Sequence, residues 1–310
     1  MADRKAVQGV IAAILTPRTA SGSIDFDQFE ASLRLAIDQG AAGVCLMGAT
    51  GEYVRASIEE RHAIVQYARP LVPDDRVLSV GAGAATATDS IRYARHASSA
   101  GADIVLLPVP FFYRYTQEDV EHFYRTTAPE IPIPVLIYNL PVFTGMVEPP
   151  TAVNLIRNVD NIIGIKDSGG IESLALLSSP ELSSSVRLVG NDSHLGQALQ
   201  SGICDGAISG VAGVLPELTV ALVEAGLAGD RPALTLSLTL LDELLAQLDQ
   251  FPAPWGLKLI AARRGLGDLN LSLPLSPLRQ TQVDRFERWF DGWWDSASRT
   301  LSQLATPNPA

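Results

Sequence analysis

Cysteine, histidine and positive charge are the scarce elements of this 310-residue chain. Its two cysteines, Cys45 and Cys204, lie in apolar stretches, and neither forms a Cys-x-x-Cys pair or stands at metal-ligand spacing from a histidine. A disulfide scaffold and a metal site are therefore not expected, and a reducing cytoplasm is the expected setting. The 23 Lys and Arg set against 34 Asp and Glu leave a net charge of −11 and no dense basic run, which argues against nucleic acid and anionic membrane as partners. No stretch approaches the ~18 uncharged apolar residues that would span a bilayer. The N-terminal Met1-Ala2-Asp3-Arg4-Lys5 leads only into a short apolar segment that Pro17 ends, so a soluble, unexported protein is expected. The first βα turn also lacks a G-x-G-x-x-G fingerprint, and Gly81-Ala82-Gly83 does not replace it, which disfavours an open doubly wound dinucleotide fold.

What the chain does contain is apolar substance, 47% hydrophobic against 18% charged residues, enough for a large buried core. Eight short runs rich in Val, Ile and Leu stand at residues 9–17, 43–50, 76–83, 103–110, 134–141, 162–167, 186–191 and 205–210. They lack strict alternation, the pattern of strands covered on both faces in a parallel sheet. Helical periodicity fills the gaps. Asp25 can cap a helix carrying Phe29, Leu33 and Ile37 that Gly40 ends, Ser57 with Glu60 makes a capping box, and Thr88 and Thr116 start two further helices. A βα unit roughly every 20 to 35 residues, repeated eight times, predicts an α/β fold of the (β/α)₈ barrel type over residues 1–228. Residues 229–310 change to Leu-rich helical periodicity over 234–248, 255–263 and 277 to about 304. This predicts a C-terminal helical extension whose Trp289, Trp293 and Trp294 mark a buried or interfacial face.

In such a barrel the chemistry comes from residues at the carboxyl ends of the strands. The sixth run ends in Lys166, a lone cation closing an apolar segment just before Ser168-Gly169-Gly170. Burial disfavours the charged form of an ammonium, and a neutral amine can attack a ketone to form a Schiff base. The plain alternative is a strand-ending lysine in solvent or paired with Asp167. The fifth run ends in Tyr138, one βα unit away and so expected about 4.8 Å off on the neighbouring strand, where a phenol can move protons to and from a carbinolamine. The second run enters Gly48-Ala49-Thr50-Gly51-Glu52, whose N–H groups and Thr50 hydroxyl suit a small carboxylate. Together these describe an electrophile trap with a carboxylate clamp, the requirement of a 2-oxo acid held as an imine. The histidines add less. His62, His96 and His122 fall in amphipathic helices, and His194 either lines the pocket or caps a helix. The turn Ser209–Gly213 has the position of a phosphate loop but no basic residue, so a plain loop is expected.

These residues resemble the dihydrodipicolinate synthase / N-acetylneuraminate lyase superfamily of class I aldolases. The marks are Gly48-Ala49-Thr50-Gly51-Glu52 with Ser57-x-x-Glu60-Arg61, Tyr138-Asn139-x-Pro141 with Thr144-Gly145, and Gly164-x-Lys166-Asp167-Ser168. The resemblance implies a barrel with a helical extension, a homotetramer built as a dimer of dimers, and no cofactor beyond the covalent imine. It implies that Lys166 forms the Schiff base, Tyr138 moves protons, Ala49 and Thr50 hold the carboxylate, and Gly190 and the Ile208 carbonyl border the pocket. Three positions depart from the family pattern. Ala49 replaces a hydroxyl residue. Phe112 aligns with a tyrosine that a neighbouring subunit contributes to a proton relay, with Tyr113 or Tyr115 as possible substitutes. Phe143 stands where the synthases place an arginine for the carboxylate of their aldehyde.

The expected partners are a small 2-oxo acid and an aldehyde. The expected activity is a Schiff-base lyase or aldolase acting on pyruvate or a 2-oxo acid, with a 2-keto-3-deoxy sugar acid aldolase or dehydratase as the first reading. A 4-hydroxy-tetrahydrodipicolinate synthase and a catalytically weak pyruvate- or sugar-acid-binding homologue are the alternatives.

Overall fold

The computed structural model describes residues 7–305. Eight parallel strands pair in chain order and close, with the last strand against the first: β1 (Gly9–Ala13), β2 (Gly43–Leu46), β3 (Val77–Gly81), β4 (Ile104–Pro108), β5 (Val135–Asn139), β6 (Ile162–Asp167), β7 (Val186–Val189) and β8 (Gly206–Ser209). A helix follows each: α1 (Phe26–Asp38), α2 (Ile58–Ala68), α3 (Ala87–Ser99), α4 (Gln117–Thr127), α5 (Pro149–Asn158), α6 (Glu172–Leu177), α7 (Leu195–Gln200) and α8 (Pro216–Ala228). Three more complete the chain: α9 (Arg231–Leu248), α10 (Trp255–Arg263) and α11 (Pro277–Ala305). All eight predicted strands are present, but most are shorter than their apolar runs. The last residues of those runs, such as Ile14–Pro17, stay buried while turning over the rim instead of continuing the ladder.

Closure sorts each strand's side chains into two layers. Ile11, Cys45, Leu106, Leu136, Leu188 and Ile208 pack inside the barrel, while neighbours such as Val10, Val44, Leu107, Ile137 and Ala207 belong to the layer shared with the helices. Both faces are apolar because both are covered, which is why the runs showed no alternation.

The helix signals act locally, so they can be checked one by one. Asp25 accepts the Gln28 N–H at 3.1 Å, and Gly40 leaves α1 at φ 90°. The Ser57/Glu60 capping box is complete, and Thr116 caps α4. Thr88 does not start its helix. Thr86 does, two residues earlier, because its Oγ1 accepts the Asp89 N–H at 3.1 Å and its hydroxyl also donates to the Asp89 carboxylate.

On α11, buried Phe286, Phe290, Trp293, Ala297 and Leu301 recur at helical spacing and form one face, and Trp293 Nε1 donates to Glu243 of α9 at 2.9 Å. Trp289 and Trp294 lie only partly buried beside it. No helix among the described residues is long and apolar enough to cross a membrane.

One irregularity sets the site. Between β5 and β6 the register slips: Val135 faces Ile162, but Leu136 faces Gly164, so Ile163 is an extra residue. The slip brings Tyr138 opposite Lys166; unbroken pairing would have brought it opposite Ile165. Re-aiming a side chain beside a site is the usual consequence of a bulge. Gly164 permits the close approach to β7 here, since a Cβ on it would stand 2.0 Å from the Val186 carbonyl oxygen. Gly164→Ala is therefore expected to push β6 from β7 and to lower the urea unfolding free energy by about 1–3 kcal/mol. An unchanged midpoint would mean that the strands are not held this tightly.

Candidate active site

Lys166 points into the barrel near the end of β6, 4% exposed, with its Nζ 4.1 Å from the centroid of the Tyr138 ring. Tyr138 is 2% exposed and belongs to the interior cluster. The two side chains do meet, though the ammonium lies over the ring face, a cation–π contact. The pairing with Asp167 that would have made Lys166 ordinary does not form. Asp167 falls on the other side of the strand and accepts from Asn139 Nδ2 at 2.9 Å and the Gly169 N–H at 2.8 Å, and burial raises its carboxyl above the usual range. Among the described residues no carboxylate lies within ion-pairing distance of Lys166.

The clamp turn follows β2. Within it the Glu52 N–H bonds to Ala49 O and the Tyr53 N–H to Gly48 O, while the N–H groups of Ala49 and Thr50 make no hydrogen bond among the described residues. Gly190 stands next to the lysine: a Cβ there would lie 2.2 Å from Ser168 Oγ and 2.9 Å from Lys166 Cε, so only glycine leaves the lysine its place. Ile208 is fully buried inside the barrel.

A cavity of about 220 Å³ lies beside these strand ends and is reached by Ala49 and Thr50, but Lys166, Tyr138, Gly190 and Ile208 do not line it. Ala49, Thr50, Phe143, Asn191, Asp192 and Val211 line it on the barrel side, and Leu245, Leu248, Asp249, Leu257 and the segment between α9 and α10 form the opposite wall. The C-terminal helical region is thus part of the cavity and not only packing. A larger cleft of about 620 Å³ between α8, α9 and α11 contains none of the expected site residues.

Phe143, half-exposed, is on the cavity wall as expected. Phe112 does not line the cavity of its own chain, and the resemblance assigns it to the site of a neighbouring subunit. It is 85% exposed at φ 87°, on a loop that carries it away from the barrel, with its ring edge-on to exposed Tyr113 at 5.1 Å. Tyr115 is exposed as well, so within one chain neither tyrosine replaces the missing hydroxyls. His194 stands at the start of α7 without making a capping bond, and it is not on the cavity wall.

Two charged residues escaped the sequence reading. Asp192 sits where the Ser209–Gly213 turn had the position of a phosphate loop. Its carboxylate takes the Ser209 hydroxyl and the Val211 N–H, the latter at 3.4 Å, and so occupies that turn itself. Enclosure by protein raises its carboxyl above the ordinary value, offset in part by those bonds and by the Lys166 charge. The available signal was Asp192 directly after the seventh apolar run, a residue to which the sequence reading gave no role.

Lys258 on α10 is 6% exposed, ion-paired with buried Glu52 and bonded to Asn270 O at 2.6 Å. Thr16 Oγ1 donates to Gly51 O at 2.9 Å, and Arg55 also reaches Glu52 at 3.0 Å. The clamp turn is therefore anchored from behind by the C-terminal region, a partnership spanning some two hundred residues that no local pattern announces.

Two outcomes follow from these charges. Lys258→Met strands Glu52 in the interior; breaking a buried pair costs about 3–5 kcal/mol, and the remaining Arg55 contact places the loss at the low end. Urea melts of this variant and of Lys258→Met/Glu52→Gln should show the double change recovering part of it. Asp192, whose carboxyl is held above the ordinary range by its enclosure in the folded state, contributes stability that is full below that ordinary range and is lost as pH rises through its higher folded value. Asp192→Asn should thus gain stability relative to the unaltered chain as pH rises above the ordinary carboxylate range; a difference flat with pH would contradict this.

The sequence profile of the dihydrodipicolinate synthetase family matches residues 6–291. The 4-hydroxy-tetrahydrodipicolinate synthase of Bartonella bacilliformis is 33% identical over 281 residues, covering 89% of this chain and 94% of its own. Among solved structures, the dihydrodipicolinate synthase of Acinetobacter baumannii complexed with pyruvate matches with a TM-score of 0.86 at 26% identity, over 93% of this chain and 99% of that one. A dihydrodipicolinate synthase variant described as monomeric matches with a TM-score of 0.87 at 25% identity, over 94% and 98%.

Proposed function

The chain belongs to the dihydrodipicolinate synthetase family of lyases, and from that premise we propose that it binds pyruvate or a pyruvyl group as an imine on Lys166. The observation that carries this is a buried amine facing Tyr138 across β5 and β6 with no carboxylate within ion-pairing distance among the described residues. Lys166 Nζ adds to the C2 carbonyl. The carbinolamine oxygen leaves as water with a proton from Tyr138, and loss of a C3 proton gives the enamine that forms or breaks the bond to the second substrate. The free N–H groups of Ala49 and Thr50 and the Thr50 hydroxyl suit the pyruvate carboxylate. No other cofactor is needed for these steps.

For the second substrate, the relatives named 4-hydroxy-tetrahydrodipicolinate synthase favour a synthase condensing pyruvate with aspartate semialdehyde over the sugar-acid aldolase expected from sequence. One feature supports keeping the sugar-acid reading second. The charged residues on the cavity wall are Asp192 and Asp249, and Phe143 supplies no cation, so an acidic aldehyde would meet like charge where a neutral polyhydroxylated one would find acceptors. A missing charge-assisted contact weakens binding by about 1.5–3 kcal/mol.

Assembly and setting belong to the same proposal. The exposed Phe112 and Tyr113 rings offer an apolar surface that a second copy in a tetramer would cover, and the two free, buried cysteines suit a reducing cytoplasm.

Borohydride reduction with pyruvate, followed by intact mass and peptide mapping, should label Lys166 and leave Lys166→Ala unlabelled. No adduct, or one that persists in the variant, defeats the imine. Rates on aspartate semialdehyde and on keto-deoxy sugar acids then choose between the two readings.

A further inference from the structure

Tyr138 needs a source from which to recover its proton, and neither Ala49 nor Phe112 carries an oxygen. Tyr53 does. It follows the clamp turn directly, in the short 3₁₀ turn Tyr53–Arg55, and is 4% exposed. Its ring packs at Gly83 next to Pro108, one strand from Tyr138. The Cβ that Gly83 lacks would stand 2.7 Å from Tyr53 Cε2 and 2.9 Å from Pro108 Cγ, and Pro108 is the β4 residue paired with Tyr138. Arg61 holds the phenol in place: its guanidinium donates to Tyr53 O at 2.6 Å and to Gly83 O at 3.0 Å, with its Cζ 5.4 Å from the Tyr53 ring centroid and 4.0 Å from that of Tyr93. Phe111 closes the outer side, edge-on at 6.0 Å. Among the described residues neither the Tyr53 nor the Tyr138 hydroxyl makes a hydrogen bond, and neither is among the sealed, unpartnered polar atoms. A phenol nearly buried, clamped by a buried arginine and left with an unused hydroxyl is poorly explained by packing alone, because phenylalanine would fill the same space.

We propose that Tyr53 is the proton relay of this site, a positioning residue that acts through Tyr138. The inference rests on the imine reading above. When Tyr138 gives its proton to the departing carbinolamine oxygen, it takes one from the Tyr53 hydroxyl, and Tyr53 recovers one from solvent. One proton enters for each that leaves, and nothing is oxidised or reduced. Burial pushes the Tyr53 phenol up to about 12, with Tyr138 close enough to add to the shift. Tyr53 is therefore protonated at neutral pH and passes a proton only in exchange for another.

The test uses pyruvate alone, through the rate at which its methyl hydrogens exchange in deuterated water, read by NMR. Tyr53→Phe keeps the ring and its packing. Its exchange rate at saturating pyruvate should fall on the order of a hundredfold, while the KM for pyruvate and the yield of borohydride-trapped adduct stay unchanged. Tyr53→Phe/Tyr138→Phe should be no slower than Tyr138→Phe, because one proton path is broken only once. Exchange within about twofold of the unaltered chain, or losses that multiply in the double variant, overturns the relay. A trapped adduct in the unaltered chain separates that failure from failure of the imine itself, which would remove both.

Discussion

An ammonium group at the end of β6, enclosed by protein and facing an aromatic ring, has no carboxylate within ion-pairing distance among the described residues. Other enclosed cations of this chain have polar partners: Lys258 pairs with Glu52, Arg264 with Glu217, Arg187 with Asp205 and Arg18 with Glu60, while Arg61 donates to two backbone carbonyls. A buried charge left uncompensated is costly, and a folded chain keeps one only where the surroundings fix it in place. Here they do so through strand register. The slip after Val135 puts Tyr138 and Lys166 opposite each other, and Gly190 leaves the space that the lysine stem occupies.

Around this group the polar elements come from widely separated segments. The clamp turn after β2 offers two unused N–H groups, while its glutamate is tied to α10. Asp192, after β7, fills the donor face of the turn after β8 and adds a negative charge to the cavity wall. The segment between α9 and α10 completes that wall, so what resembles a helical tail in the sequence takes part in shaping the substrate space. The half of the site near Lys166 and the half that meets a second substrate therefore rest on different parts of the chain, and they can change independently.

Legibility in the sequence followed the range of the interaction. Caps at Asp25, Ser57 and Thr116 could be read because each is closed within four residues, and the one misplaced start, Thr88 for Thr86, is a competition between two threonines two positions apart. Apolar runs gave the strand count, since burial on both faces leaves a mark at every position. Their ends were overextended because residues such as Ile14 and Leu15 are buried in the turn as fully as they would be in the strand.

The sequence by itself determined eight βα units, three further helices, and a lysine and a tyrosine at the ends of adjacent strands. These are set by periodicity and by order along the chain. Only the tertiary structure decided that Lys166 has no carboxylate within ion-pairing distance among the described residues, that Phe112 faces outward, that half-buried Asp192 and buried Lys258 support the site, and that the Tyr53 ring packs at Gly83 beside Pro108, the β4 partner of Tyr138. Each of these depends on which side chain a closed sheet brings next to which. A one-residue slip between β5 and β6 changes that answer without changing the composition or pattern of either strand.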